Sequence, residues 1–213
     1  MSRRAAAGAA LTLAVLAACG SSGSGTVTGT PPTPSPEHTQ TFTGSGITLT
    51  VPDGFVLATT PAQAAERFPD VLGTDAQAQS KIADAEGRLR KNAILLAFHQ
   101  PVGGLSDNVS LLKIVGAAPS NPAEIQSLSF QKQARTSLAN ANATNIVFTE
   151  TTLGNAPAER VTYTITLQGA APVNGEQLYV AAATNVFVLT VTGGTKARAE
   201  GTAAAIADSW RFG

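Results

Sequence analysis

The chain has 213 residues, of which 43% are hydrophobic and only 13% charged. This content is enough for one packed domain plus a shorter segment. Lys and Arg together number 14, as do Asp and Glu, so no strong net field is available to attract nucleic acid. With one Cys and two His, the chain has few side chains for a metal centre or a histidine-based catalytic site. We therefore predict no metal, no cofactor and no catalytic residues.

The first eighteen residues have the organisation of a secretory signal peptide. Arg3 and Arg4 form a short basic segment, and residues 5–18 carry no charge. As a helix this uncharged stretch spans roughly 21 Å, well short of the ~30 Å hydrocarbon core of a bilayer. Residues 1–18 are therefore predicted to be a removable signal rather than a permanent membrane span.

The leader ends in the sequence LAACG at residues 16–20, which resembles the lipobox of bacterial lipoproteins. In that family a diacylglycerol is attached to the cysteine thiol and a signal peptidase cuts just before it. Cys19 is the only cysteine of the chain, and a thiolate is nucleophilic enough to accept the lipid. The resemblance predicts lipidation at Cys19, with the mature protein held at the extracytoplasmic face of the cell membrane, in the cell envelope.

Residues 19–41 are predicted to form a flexible linker after the lipidated cysteine. Gly, Ser, Thr and Pro dominate this stretch, and it has no apolar periodicity with which to build a core. The four prolines between residues 31 and 36 stiffen its second half. The folded domain is predicted to cover residues 42–213.

Apolar patterning predicts the elements of the first half of the domain. They are a strand pair over residues 42–51, an Asp-Gly turn at 53–54, one or two helices over 61–90, and buried strands over 93–98 and 109–115. Pro61 suits the first helical turn, and Pro69 or Gly73 is expected to interrupt the helical region.

Helical spacing and period-two alternation predict the second half. It contains a helix over residues 122–141, strands over 146–153, 158–167, 177–183 and 186–192, and a closing helix from residue 195. Asn121 is expected to cap the first of these helices. Gly154 with Asn155 predicts one turn, and the pair Asn174 and Gly175 predicts a β-hairpin. Consecutive strands with helices between the runs favour an α+β fold, with a mainly antiparallel β-sheet covered by helices on one face.

Four segments resemble the LpqN/LpqT family of mycobacterial and related actinobacterial lipoproteins. They are VPDGF at residues 51–55, DNV at 107–109, GNAPAERVTY at 154–163, and NVFVLT at 185–190 with the closing helix to Trp210 and Phe212. The resemblance spans the whole domain. It implies a PsbP-like α/β/α sandwich, a non-catalytic domain facing the envelope, and association with a lipid or with a protein partner.

Two side chains invite a catalytic or ionic interpretation. A serine hydrolase needs a histidine base, and His99 is the only histidine of the domain, with no G-x-S-x-G elbow in the chain. His99 is therefore predicted to make a local hydrogen bond at a strand end. Arg160 is predicted to pair across strands with Glu150 or Glu176.

One basic cluster is a candidate contact for a ligand or a lipid surface. Arg88, Arg90 and Lys91 end a predicted helix, where cations complement the helix dipole. The alternatives left open are a solvated helix end and a contact with anionic head groups. Trp210 is predicted to be either a core side chain or an aromatic group at the mouth of a sugar-binding pocket.

Two functional hypotheses follow. The first is a carrier or accessory protein that binds a lipid or glycolipid between the sheet and a helix, favoured by the membrane tether and by alanines that leave room beside the strands. The second is a protein-interaction module that docks on another envelope protein. An apolar cavity favours the first, and an exposed apolar patch the second. A hydrolase is a distant third.

Overall fold

The structure, a computed structural model, describes residues 39–100, 106–119, 121–166 and 172–213. The predicted signal peptide, the lipidation site at Cys19 and nearly all of the linker lie outside the described residues. The predicted last residue of the strand over 158–167 also lies outside them.

The strands of the described residues form two antiparallel sheets. The small sheet has the order β1-β2-β10 and the large sheet the order β3-β4-β5-β9-β8-β7-β6. The strands are β1 Gln40–Gly44, β2 Ile47–Val51, β3 Phe55–Ala58, β4 Ala93–His99, β5 Asn108–Val115, β6 Ala143–Leu153, β7 Ala156–Ile165, β8 Val173–Ala182, β9 Asn185–Gly193 and β10 Arg211–Phe212.

Helices cover the large sheet on both faces. They are α1 Pro61–Arg67, α2 Pro69–Leu72, α3 Ala76–Lys91, a 3-10 helix Pro122–Gln126, α4 Leu128–Asn140 and α5 Lys196–Ser209. Side chains of α1 to α4 join one core cluster, and side chains of α5 and the small sheet join another. We call the side under α1 to α4 the helical face and the side under α5 and the small sheet the mixed face. The predicted α+β class with a mainly antiparallel sheet covered by helices is confirmed, and α5 adds a helix on the second face, which the residue patterns did not predict.

Strand alternation assigns each side chain of the large sheet to one face. In β7, Val161 and Tyr163 are buried on the helical face, while Thr162 and Thr164 point to the mixed face and are partly exposed. In the central strand β9 nearly every residue is buried because both faces are covered. The threonine alternation of β7 therefore identified a half-buried strand correctly.

The predicted helix over residues 122–141 is two elements. Asn121 caps the 3-10 helix, as its Oδ1 accepts from the Ala123 amide at 3.1 Å. Ser127 then takes an extended conformation, and its hydroxyl accepts from the Phe130 amide at the start of α4. The prediction of one continuous helix was wrong because a second capping residue competes with the helical conformation at its own position.

The region of residues 61–90 is divided where proline and glycine stand. Thr60 caps α1, Pro69 begins the one-turn helix α2, and Gly73 ends it with φ of +90°. Asp75 then caps α3 through the Ala78 amide, at 2.8 Å. The predicted interruption near Pro69 or Gly73 is therefore confirmed at both positions.

The last strand joins the two ends of the domain. β10 pairs with β2, so that Arg211 lies opposite Thr48 and Phe212 opposite Ile47. Trp210, between α5 and β10, is fully buried among the side chains of the mixed face. No sequence pattern indicated a two-residue strand at this position.

Candidate functional site

A group of buried polar side chains lies on the helical face of the large sheet, on its three central strands. We call it the polar cluster. Each member is at most 5% exposed: Asn108 and Ser110 of β5, Thr190 and Thr192 of β9, and Gln177 of β8. In the register of the sheet, Ser110, Thr190 and Gln177 form one row across the strands, and Asn108 and Thr192 lie in the next. Buried polar groups cost free energy unless they are paired, so this concentration requires an explanation.

Part of the polar cluster is internally hydrogen-bonded. Gln177 Nε2 donates to Thr190 Oγ1 at 3.2 Å, and the Tyr179 hydroxyl donates to Gln177 Oε1. These contacts hold the Gln177 amide in one orientation, because its nitrogen faces an acceptor and its oxygen faces a donor. Burial raises the pKa of Tyr179 far above its ordinary value, so this hydroxyl remains a neutral donor.

Two hydroxyl groups beside these contacts have no partner. Tyr163 Oη and Thr192 Oγ1 are both buried and without a hydrogen bond. Burial raises the pKa of Tyr163, so this group also stays protonated and can donate as well as accept. Since nearly all buried hydroxyls in folded proteins are paired, these two are available to a bound molecule.

The position of Tyr163 depends on Gly175, which faces it across β7 and β8. A Cβ atom added to Gly175 would lie 2.3 Å from the Tyr163 ring, so the ring occupies the space that a side chain would fill. The predicted hairpin at Asn174 and Gly175 was wrong, because both residues lie inside β8. The glycine in this Asn-Gly pair serves a close cross-strand contact rather than a turn.

Apolar side chains border the polar cluster. The next row toward the other end of the strands contains Leu112, Val188 and Tyr179 in register. On the β4 side, Phe68, between α1 and α2, packs edge-on against Phe98 at 4.8 Å between ring centroids. On the β8 side, Phe130 of α4 packs in the same manner on Tyr179, at 5.1 Å. The helical face therefore combines a polar half with an apolar half.

The structure separates the members of the predicted basic cluster. Arg88 faces inward on α3 and is only 8% exposed. Arg90 and Lys91 are exposed, and Arg90 pairs with Glu86 at 2.9 Å. Arg88 therefore does not share a surface with the other two, and any contact with a flat membrane is left to Arg90 and Lys91.

Trp210 is a core side chain. It is fully buried and packs edge-on against Phe187 and Phe212, each at 6.1 Å between ring centroids. Of the two alternatives for Trp210, the core position is the one observed, because the ring has no exposed face on which a sugar could stack.

His99 is held by local contacts at the end of β4. Its Nδ1 donates to the Gln100 carbonyl at 2.9 Å, and its ring packs edge-on against Phe55. A Cβ on Gly54 would lie 2.7 Å from His99 Nε2, so the Asp-Gly turn also needs its glycine to fit this ring. The predicted local hydrogen bond is confirmed.

Arg160 forms the predicted cross-strand ion pair on the mixed face. Its Nε and Nη2 donate to the two oxygens of Glu176, both at 2.8 Å. Glu200 lies 3.7 Å from the same guanidinium and 3.7 Å from Lys196. Burial raises the pKa of Glu176, and the Arg160 contact opposes this effect. Beside this network lies a groove of about 300 Å³ between α5 and the β6–β8 edge.

Metal-ligating and membrane-spanning features can be assessed only for the described ranges. Within them, no group of three or more His, Cys, Asp or Glu side chains is arranged to hold a metal ion. None of the helices in these ranges is both long and apolar enough to cross a membrane.

Sequence reasoning did not find the polar cluster. Its members Thr190 and Thr192 lie in the predicted strand over residues 186–192, whose two faces the sequence analysis did not distinguish. The available signal was their two-residue spacing, which places both on one face of a strand that is buried on both sides.

The alanines expected to leave room for a ligand are mostly outside the core of the helical face. Among residues 62, 64, 65 and 181–183, only Ala64 and Ala181 belong to the core of the helical face.

Comparison with known proteins gives structural similarity alone. No protein-family model matches the chain, and no curated protein sequence matches it. Among solved structures, the fold is similar to LpqN of Mycobacterium tuberculosis, a protein involved in cell envelope biogenesis. The TM-score is 0.43 at 14% sequence identity, and the alignment covers 83% of this chain and 91% of LpqN.

A second similar structure is a protein from Bacteroides thetaiotaomicron. The TM-score is again 0.43, at 11% identity, and the alignment covers 81% of this chain but 48% of that one. The fold is thus distantly similar to that of LpqN, and membership of the LpqN/LpqT family stays a prediction.

Proposed function

We propose that the protein is a lipid-anchored, non-catalytic lipoprotein on the extracytoplasmic face of the cell membrane, and that its domain binds a lipid or glycolipid. Its role is then that of an accessory factor in envelope lipid handling. The lipobox-like sequence around Cys19 supports the anchor. Multiple acyl chains on one residue give the stable attachment that a single chain lacks.

The observation that carries the ligand proposal is the two-part character of the helical face. Its polar half holds hydroxyl and amide groups, two of which have no partner, and its apolar half begins one row away at Leu112 and Val188. A lipid with a hydroxylated head group has the same division. Its hydroxyls suit Tyr163 and Thr192, while its hydrocarbon suits the neighbouring row.

A non-catalytic role agrees with the contacts of His99. Its Nδ1 is committed to the Gln100 carbonyl, and its Nε2 faces Gly54. A serine hydrolase requires a histidine nitrogen that is hydrogen-bonded to a serine hydroxyl. In the described contacts, neither nitrogen of His99 has such a partner.

The alternative proposal is docking on another envelope protein, and one observation favours it. The strand β6 is an eleven-residue edge of the large sheet, with Val147 on it 55% exposed. An exposed edge can accept a strand from a partner. Exposed large hydrophobic side chains on the described residues are otherwise single, at Val115 and Leu128.

Native mass spectrometry tests the ligand proposal. The full-length Cys19→Ala variant, purified without detergent from an actinobacterial host, should carry a discrete added mass that fragments as an acyl lipid or glycolipid. The double variant Tyr163→Phe with Thr192→Val removes only the two unpartnered hydroxyls and should lower the bound fraction severalfold. Thr149→Val, on the exposed side of β6, is the matched control and should keep wild-type occupancy.

Cell fractionation of the same Cys19→Ala variant tests the anchor. We expect this folded variant to lack acyl chains and to leave the membrane fraction, whereas a membrane-bound wild-type protein without acyl chains on Cys19 would refute lipidation as the means of attachment. A protein free of any ligand in the mass spectrum, together with a β6-dependent crosslink to one envelope protein, would replace the lipid-binding proposal with the docking proposal.

A further inference from the structure

Arg88 lies on the inward side of α3. The buried residues of this helix are Ala78, Ile82, Ala85 and Arg88, spaced four, three and three apart, so they form one stripe. Ile82 and Ala85 belong to the core of the helical face. Arg88 continues that stripe toward the end of the helix and is therefore directed at the same side of the sheet.

The guanidinium of Arg88 is buried without a partner. Its Nε, Nη1 and Nη2 are all shielded from solvent, and none of them makes a hydrogen bond. Asp84, one turn earlier, favours the charged form electrostatically, but burial has the larger effect and lowers the pKa of Arg88. An arginine side chain nevertheless keeps its charge in proteins. The site therefore holds a cation with five unused N–H donors.

Every other arginine in the described ranges has a hydrogen-bond or ion-pair partner for its guanidinium. Arg90, Arg160 and Arg198 each bind a carboxylate, of Glu86, Glu176 and Asp107 respectively. The remaining arginines donate to backbone carbonyls: Arg67 to Leu57, Arg135 to Ile146 and Arg211 to Asp208. The domain thus satisfies every described guanidinium except the one directed at the helical face.

We infer that Arg88 binds an oxyanion, a phosphate or carboxylate, on the molecule that occupies the helical face. A guanidinium presents its N–H groups as a planar fork that matches two oxygens of such a group. An uncompensated buried charge is strongly unfavourable, and an oxyanion supplies both the opposite charge and the missing acceptors. The inference rests on the proposed function in taking that molecule to be an amphiphile, and it adds that the amphiphile is anionic.

Isothermal titration calorimetry with three probes tests the inference. The probes are dodecyl phosphate, the neutral dodecyl maltoside, both below their micellar concentrations, and inorganic phosphate. In the full-length Cys19→Ala background we expect dodecyl phosphate to bind at least tenfold more tightly than dodecyl maltoside. Arg88→Met should abolish that preference, with dodecyl phosphate weakened tenfold or more and dodecyl maltoside unchanged. Arg90→Met, an exposed arginine on the same helix, is the matched control and should behave as the parent.

Stability measurements separate a binding role from a structural one. Without ligand, Arg88→Met should melt at the parent temperature or above it, because the substitution removes an unpaired buried charge. If Arg88→Met does not fold, Arg88→Lys is measured instead. Lysine keeps the charge but lacks the fork, so it should weaken dodecyl phosphate severalfold and keep some preference over dodecyl maltoside.

The remaining outcomes distinguish this inference from the proposed function. Arg88-dependent binding of inorganic phosphate, with neither amphiphile bound, would support the oxyanion site and reject the lipid proposal. Equal binding of dodecyl phosphate and dodecyl maltoside, unaffected by Arg88→Met, would overturn the oxyanion site and leave lipid binding standing. Failure of all three probes to bind would overturn the inference.

Discussion

The two faces of the large sheet satisfy their buried polar groups differently. On the mixed face, Asp107 accepts from the Gly194 amide and pairs with Arg198, which fixes the start of β5 to the start of α5. Apart from the Trp210 indole nitrogen, the unpartnered buried side-chain atoms of the described residues belong to Arg88, Glu159, Tyr163 and Thr192, all of which lie on the helical face. Among the described residues, the mixed face therefore leaves only the Trp210 indole N–H unpartnered, whereas the helical face leaves donors and acceptors of four side chains unpartnered.

The largest effect should come from the mixed face, at a large aromatic side chain of its apolar core. Trp210→Ala removes a fully buried ring that contacts Phe187 and Phe212, and should lower the free energy of unfolding by about 4 kcal/mol. Urea denaturation followed by circular dichroism measures this. Leu128→Ala, at a side chain that is 83% exposed, is the control and should change stability little. A loss for Trp210→Ala no larger than that control would contradict the assignment of Trp210 to the core.

A second effect concerns the close contact inside the helical face. Gly175→Ala places a Cβ against the Tyr163 ring and should destabilise the domain by about 2 kcal/mol through overpacking. Combining it with Tyr163→Val, which removes the ring, should cost less than the sum of the two single changes. Additive losses in chemical denaturation would mean that the ring and the glycine do not depend on each other.

Paired and unpaired hydroxyls of β9 provide a comparison within one strand. Thr190→Val breaks the contact with Gln177 and should cost about 1 kcal/mol. Thr192→Val removes a hydroxyl that has no partner, so it should be neutral or slightly stabilising without ligand. Thermal melts of the two variants side by side measure the difference, and equal losses would contradict it.

The smallest effect depends on pH. Glu159 is fully buried and its Oε2 is unpartnered, although Gln131 donates to its Oε1 at 3.2 Å. Burial raises the pKa of Glu159 above its ordinary value, so the protonated carboxyl favours the folded state. This contribution is present below the ordinary carboxyl pKa and is lost as the pH rises through the raised value. Glu159→Gln should therefore match the parent protein at pH 4 and exceed its stability at pH 7. If the parent protein instead gains stability relative to Glu159→Gln as the pH rises, the predicted direction of the pH dependence is wrong.

Sequence patterns predicted the sheet better than the site. Alternation in β7, the turn at Gly154 and Asn155 and the apolar stripe of α5 are local properties, and each is found where it was expected. The turn predicted at Asn174 and Gly175 was wrong because the role of this glycine depends on Tyr163, which lies on another strand. Local preference favours a turn there, whereas the cross-strand contact requires a glycine within β8.

The polar cluster was beyond sequence reasoning for a related reason. Whether Thr190 is half-exposed or buried depends on strands and helices that are distant in the chain. Arg88 presented the same difficulty: its neighbours Arg90 and Lys91 suggested a solvated helix end, but the inward stripe of α3 begins at Ala78. Burial is decided by the assembled layers, and so is the absence of a partner for each buried group.

The pairing of β10 with β2 has a consequence for biosynthesis. Residues 47 and 48 leave the ribosome more than 160 residues before the strand that completes their sheet. Trp210, which fills the core between that sheet and the large one, arrives just as late. The mixed face therefore stays open until residues 210–212 have been synthesised, since long-range contacts cannot form before both partners exist. Before these residues emerge, the nascent chain keeps an exposed apolar surface, which is the form in which a chaperone would bind it.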